Sequence, residues 1–487
     1  MRAMHAIAPR GWTALAGITA GVAVALGPTP AAAASEDDDL ALIPSAVRDA
    51  PAKPPTPAPP PAEAARDAST PLRAKLYVED AFTGWSAPRD IPVPYPSASP
   101  TFDWQNRTSL DVVVEWRPWK RLALRLSDRA NVVEQDGLAL SSRQTFSNNL
   151  REAYVTWEPA RNLYLEAGRI NVRNGVALGF NPTDFFKTRT LVGQASLDPS
   201  VLRQNRLGTL MLRAQQIWNG GSASVAFAPK VADPSPVAQS DPLGVDPRFY
   251  ATNAAFRLLC TVGFDAADLA PQLFAYAEQY RSKVGLDLTR PIGDAIVAYA
   301  EWAGGPEATL AARANAYGVE TGTLPAATPI LPPASAARRF RNDVAAGASW
   351  TIATALTLNL EYHFHESGFA HDDWRQWFDL GGASPALAGP LWFVRGYALD
   401  QQEPVAQHQA FVRLDWPNAL VNHLGLGAFA FVDLLDGSVL AQGSATYFLS
   451  DAWTIAAYGT ANLGAARTER GSLPQAASGI LQVVHYL

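Results

Sequence analysis

Large apolar residues recur at every second position along most of the chain from Leu72 onward. In Leu356 to His365 they are Leu356, Leu358, Leu360, Tyr362 and Phe364, with Thr357, Asn359, Glu361, His363 and His365 between them. Successive side chains on a strand point to opposite faces, so this spacing predicts strands with one oily and one wet face. The same parity puts Leu110, Val112, Val114 and Trp116 opposite Asp111 and Glu115, and Leu122, Leu124 and Leu126 opposite Arg121, Arg125 and Arg129. It puts Leu210, Leu212 and Trp218 opposite Arg213 and Gln215. No convincing stretch of 3.6-residue periodicity runs longer than two turns, and no transmembrane helix is expected in the mature chain.

Turn residues cut this pattern into eighteen predicted strands, from 72–82 to 477–487. Among them are 205–218, 248–260, 354–366 and 405–416. The connections alternate in length. One set is short: "RPWK", "EPAR", "NGG", "RPIG", "PNAL", "LSDA". The other is mostly long: 84–105, 134–147, 171–204, 230–247, 305–340, 367–404 and 465–476. A soluble sandwich has no reason for such asymmetry, whereas an outer-membrane barrel has short turns at one mouth and long loops at the other. Strands near ten residues suit a tilted crossing of the hydrocarbon layer. Trp116, Trp157, Trp350, Trp416 and Trp453 beside the short turns fit an interfacial girdle. The fold class expected is therefore all-β: a transmembrane antiparallel barrel of 16–18 strands over 71–487, its oily face on lipid and its wet face on a lumen.

The N-terminus changes the picture of where the chain goes. Arg2 and Arg10 precede the uncharged run Thr13 to Gly27, and "PTPAAAASEDDD" follows. This is the pattern of a secretory signal peptide, with cleavage expected after Ala34. Residues 35–70 are acidic and then Pro-rich, "PAKPPTPAPPPAEAA", and read as a disordered periplasmic tether that could engage a periplasmic partner. The destination expected is the outer membrane, with lipid, lipopolysaccharide and the barrel-assembly machinery as partners.

Charge and chemistry exclude more than they add. The net charge of -6, with scattered bases, gives no nucleic-acid footprint. One cysteine, Cys260, rules out a disulfide framework and any multi-cysteine metal site. "HFHESGFAHDD" is the only histidine cluster, and it reads better as a polar strand entering a loop than as a metal site. No cofactor is expected, and no local catalytic motif is found.

The richest stretch is Glu166 to Thr209, whose middle, 171–204, combines Gly, Asn-Pro and Asp-Pro turns with Phe180, Phe185 and Phe186. A loop this long with its own apolar anchors is expected to hold a definite position. It either folds inward and narrows a pore or caps the mouth; the inward course is the expectation. The pore residues expected from it are Arg169, Arg173, Asp184, Lys187, Arg189, Arg203 and Arg206, facing Arg121, Arg125, Glu152, Glu166 and Arg213 on the wall.

Arg169, Asn174, Gly175, Asn181, Pro182 and Asp184, following a hairpin, resemble the "GR…G…NP.D" pattern of porin-like outer-membrane channels, nearest the alginate-export-type barrels. The likeness spans roughly residues 149–230. The ending "GILQVVHYL" is similar to the terminal strand read by the barrel-assembly machinery, with Leu487 in place of the usual Phe. The resemblance implies passage of polar solutes, with basic lumen residues favouring anions. Two functions follow as expectations. One is a passive channel for small polar solutes, gated or narrowed by 171–204. The other is a dedicated exporter, for example of polysaccharide, or an assembly component serving a periplasmic partner.

Overall fold

The computed structural model describes residues 72–96, 103–135, 146–231, 233–234, 253–266, 268–326, 328, 336–352 and 355–487. The signal peptide expected at 1–34 and the tether expected at 35–70 lie outside the described residues, as does most of the loop 230–247.

Eighteen strands form, in the order the alternation predicts. They are β1 (Leu72–Trp85), β2 (Trp104–Trp119), β3 (Leu122–Gln135), β4 (Phe146–Ala160), β5 (Leu163–Ile170), β6 (Thr209–Trp218), β7 (Gly221–Ala228), β8 (Arg257–Phe264) and β9 (Gln272–Glu278). They continue as β10 (Arg281–Ile292), β11 (Ile296–Glu307), β12 (Arg339–Thr351), β13 (Thr357–His365), β14 (His408–Trp416), β15 (Leu424–Asp433), β16 (Val439–Ser450), β17 (Trp453–Leu463) and β18 (Ala477–Tyr486). Each pairs antiparallel with its sequence neighbours, and β1 pairs with both β2 and β18, which closes the sheet. Closure leaves no edge strand, so the backbone groups of the wall find partners within it.

The parity holds. Leu110, Leu126, Leu212, Leu360 and Tyr362 are exposed on the outer surface. Asp111, Arg129, Glu361 and His363 are buried on the inner one. Trp116, Trp157, Trp350 and Trp453 are exposed beside the short turns, while Trp416 is half-buried. Several strands start later than the alternation suggests, β6 and β8 by the most. β6 begins at Thr209, because 205–208 belong to a clasp described below, and β8 begins at Arg257.

Helices form where the periodicity registered none, and none among the described residues is long and apolar enough to cross a membrane. Three helices lie in the two longest long-end loops: α2 (Leu310–Glu320), α3 (His371–Ala383) and α4 (Ala388–Gln401). A single helical turn, α1 (Pro199–Gln204), lies in the loop after β5. Thr309 caps α2, its hydroxyl accepting from the Ala312 N–H, and Asp373 accepts from the Ala370 N–H at the start of α3. α4 hid from the pattern because Leu391, Trp392, Val394, Arg395, Tyr397 and Ala398 are all buried, so burial wraps most of the way round and leaves no clean polar stripe. The three helices share an apolar core built on Leu310, Phe369, Trp374, Trp377, Phe378 and Leu391. Together they make a roof at the long-loop end.

Candidate functional site

The segment after β5 runs across the lumen rather than over it. Its backbone N–H groups at Leu178 and Gly179 donate to the two oxygens of Glu361 on β13, at 2.6 and 2.9 Å. The Ala177 N–H and the Asn181 amide donate to Glu301 on β11. The Thr183 hydroxyl lies 2.9 Å from Asp287 on β10 and 3.1 Å from Glu301. Further on, Asp198 accepts from Arg413 on β14 at 2.7 Å, and the Leu197 N–H donates to Gln442 on β16. Five distant strands thus hold the segment: β10, β11 and β13 through a carboxylate, β14 through a guanidinium and β16 through a neutral amide.

Aromatic packing fixes the same course. Phe180 sits edge-on to His363 and His365. Phe185 stacks on Tyr276 with centroids 4.6 Å apart, and Arg257 lies over Phe186. Phe185 and Phe186 join Ile170, Met211, Leu259 and Phe274 in an apolar cluster inside the barrel. Gly179 is required by closeness: a Cβ there would lie 2.7 Å from His363 and from Phe411.

The segment is also tied to itself. Asp184 accepts two bonds from Arg206, at 2.7 and 3.0 Å, with Arg203 at 3.6 Å. Arg206 reaches Asn171 at 2.7 Å, and Arg203 donates to the Asn174 and Gly175 carbonyls. Arg169 donates to the Gly208 carbonyl at 3.0 Å, so the outgoing and returning ends are clasped together. The "R…NP.D" residues are thus the framework of the crossing.

The expected pore residues sort into three groups. Arg203, Arg206, Asp184 and Lys187 come together within the segment, Lys187 donating to the Asn181 carbonyl at 2.7 Å. On the wall, Arg125 pairs with Glu152 at 2.8 Å and with Glu115, and Arg213 pairs with Glu166 at 3.1 Å. Arg173 is exposed among Arg203, Glu152, Arg206 and Arg125, and no carboxylate of the described residues lies in ion-pair range. Two residues do not join them. Arg121 lies in the two-residue turn before β3, bonded to the Pro159 carbonyl at the short-turn mouth. Arg189 lies over the Tyr317 ring of α2, under the roof.

Parity alone missed Arg151. Ser127 pairs with Glu152 and Asp128 with Leu150, so Arg151 is an extra residue, a bulge. The bulge lets both Arg151 and Glu152 face inward. Arg151 then reaches Asp111, which also meets Arg129, and Arg129 meets Glu79 at 2.7 Å; Arg107 meets Glu79 at 3.1 Å. This network fills the wall of β1–β4. A second one ties the roof down: Arg313 of α2 pairs with Glu403 at 2.7 Å and lies 3.6 Å from Glu307, and Lys283 bridges Glu307 and Asp343. His365 sits between Asp343 and Ser367 at 2.7 and 2.9 Å. No cluster among the described residues could hold a metal ion.

Between the segment and the roof lies a cavity of about 1300 Å³. Lys187, Arg203 and Arg206 border its floor and Arg395 its roof, with Phe180, Phe431, Phe393 and Leu399 between.

Burial alone would raise the Asp184 carboxyl, but Arg206 and then Arg203 outweigh it and hold it below the ordinary carboxylate range. A depressed value stabilises the Asp184–Arg206 pair above the free value, about 3.9, and that stabilisation is lost only as pH falls through the lowered one. Bilayer conductance should therefore show a rise in strong acid, below the free carboxylate value, that a folded Asp184→Asn no longer shows. A strong-acid rise that persists in that variant would show that Asp184 is not the group released there.

No protein-family model matches the chain, and no curated protein is significantly similar to it. Solved structures are. Pseudomonas aeruginosa OccK11 (OpdR) is 9% identical, over 85% of this chain and 96% of that one, with a TM-score of 0.47. A mutant of the Rhodopseudomonas blastica porin is 9% identical, over 85% of this chain and all of that one, with a TM-score of 0.38.

Proposed function

We propose that this chain is an outer-membrane channel for small polar solutes, narrowed by the segment 171–204, and not an enzyme. One observation carries the reading: a closed barrel that is apolar outside and charged inside, with a long segment seated across its lumen. Monomeric soluble proteins rarely expose contiguous apolar patches beyond a few hundred Å². Here every strand adds apolar residues to one outer band, and a lipid layer covers such a band. Charges facing hydrocarbon would be costly, which is why they gather inside. Outer-membrane lipid, lipopolysaccharide and the barrel-assembly machinery are the partners proposed.

Many lumen charges are paired, Arg125 with Glu152 and Arg213 with Glu166 among them. Arg173 faces water without such a partner among the described residues, beside Arg203, Arg206 and Arg125, and a focused positive potential there attracts anions. Arg173→Glu should move the reversal potential in a salt gradient toward cations. An unchanged potential would remove Arg173 from the permeation path; no conductance in either protein would reject the channel.

The resemblance of residues 149–230 to alginate-export-type barrels supports a second reading, a dedicated exporter served by a periplasmic partner at 35–70. The roof of α2–α4 weighs against it, since a polymer needs an open mouth.

A further inference from the structure

The cavity under the roof holds an unbalanced charge. Five bases and three acids border it. Each acid has a base of its own: Asp184 has Arg206, Glu403 has Arg313 at 2.7 Å, and Glu469 has Arg470 at 2.9 Å. Lys187 and Arg395 have no carboxylate of the described residues within 4.0 Å. Lys187 spends one donor on the Asn181 carbonyl and lies 4.5 Å over the Phe180 ring. Arg395 donates to Ser472 and to the Glu469 carbonyl and lies over Trp374, Trp377 and Trp392. Arg395 is buried and Lys187 half-buried, the latter in the field of Glu403, Asp184 and Asp343 but outside ion-pair range of each, and interior charges are normally paired. The lining between the two is oily: Phe180, Phe431 and Leu440 below and beside, Leu387, Phe393 and Leu399 above.

We propose that this chamber is a binding site for an amphipathic organic anion, an aryl or alkyl body bearing one carboxylate, with Lys187 as its counter-ion. The inference rests on the channel reading and narrows its substrate class. The ammonium supplies the donors still open on the floor of the chamber, and the six apolar side chains cover the body. The volume exceeds the roughly 300–1,000 Å³ usual for a drug-sized ligand, so the site accepts a range of bodies instead of fitting one. A head group without a body loses the apolar contacts. A body without a charge leaves Lys187 unpaired.

The test uses the full chain in detergent, with saturable binding measured by equilibrium dialysis. The probes are 4-phenylbutyrate, acetate, 4-phenylbutan-1-ol and 4-phenylbutylamine. The expected result is strongest binding of phenylbutyrate, with each other probe weaker by about tenfold or more, the ratio that one charge-assisted contact supplies. Lys187→Met should lose that preference for the anion and Lys187→Arg should keep it; heat-modifiable migration on a gel checks that each variant folds. The comparison of anion and amine on the unaltered protein stands without any variant. Equal binding of anion and amine, or an unchanged preference in a folded Lys187→Met, overturns the proposal. Conductance of the same preparation in potassium chloride alone separates the two readings. A barrel that conducts without binding phenylbutyrate refutes the chamber, and one that binds without conducting refutes the channel.

Discussion

Deleting residues 176–198 should raise single-channel conductance severalfold and weaken ion selectivity. The deletion removes every contact that the segment makes with Glu361, Glu301, Asp287, Arg413 and Gln442. It also removes Phe180, Phe185 and Phe186 from the lumen. The barrel itself has no need of them for closure, because its strands bond to one another around the full circle. The carboxylates left behind become hydrated as the lumen opens, which avoids the cost of a buried unpaired charge. Lys187 and Asp184 leave with the segment, so the field in the narrow slice flattens. Planar-bilayer recording checks this, after heat-modifiable migration shows that the variant folds. Unchanged conductance would mean that ions pass elsewhere and that the narrowing lies in the roof.

Leu360→Arg should destabilise the protein in lipid far more than Ser444→Arg. Leu360 is 51% exposed and lies mid-strand in β13, facing outward. A guanidinium there meets hydrocarbon at mid-depth, at a cost of ~2–4 kcal/mol. Ser444 on β16 lies on the inner face, its hydroxyl donating to the Gly427 carbonyl, in a region that also holds Asp415. An added base there meets water and a carboxylate. Glu361 would be a poor control, although it is equally inward, because it anchors the Leu178 and Gly179 N–H groups and accepts from Tyr299. Urea unfolding from lipid vesicles measures the difference. Equal shifts of the two midpoints would contradict the assignment of the faces.

The wall was legible because its signal is local. Leu358, Leu360 and Tyr362 against Asn359, Glu361 and His363 state the parity within a few residues. Loop lengths then separate the two mouths. The seat of the crossing segment was not legible, because its partners are far away in sequence: Ala177 meets Glu301 across 124 residues, and Leu178 meets Glu361 across 183. One trace of it was present. Met211, Leu259, Phe274 and Tyr276 are apolar at inward positions, which a water-filled lumen would not favour. Arg151 was hidden by the bulge, which no alternation rule registers. α4 was hidden by burial around most of its circumference. Arg121 shares the parity of Arg125 and Arg129, but alternation gives a face and not a depth, and its turn lies at the short-turn mouth; Arg189 belongs to the segment but lies over Tyr317 under the roof.

Single-channel recording of the full chain in a planar bilayer, under a gradient of potassium chloride, tests the central claim most directly. The account predicts discrete conductance steps with a reversal potential displaced modestly toward chloride, set by Arg173 and its basic neighbours. Absence of steps from a protein that folds and inserts, or a reversal potential displaced toward potassium, would contradict it.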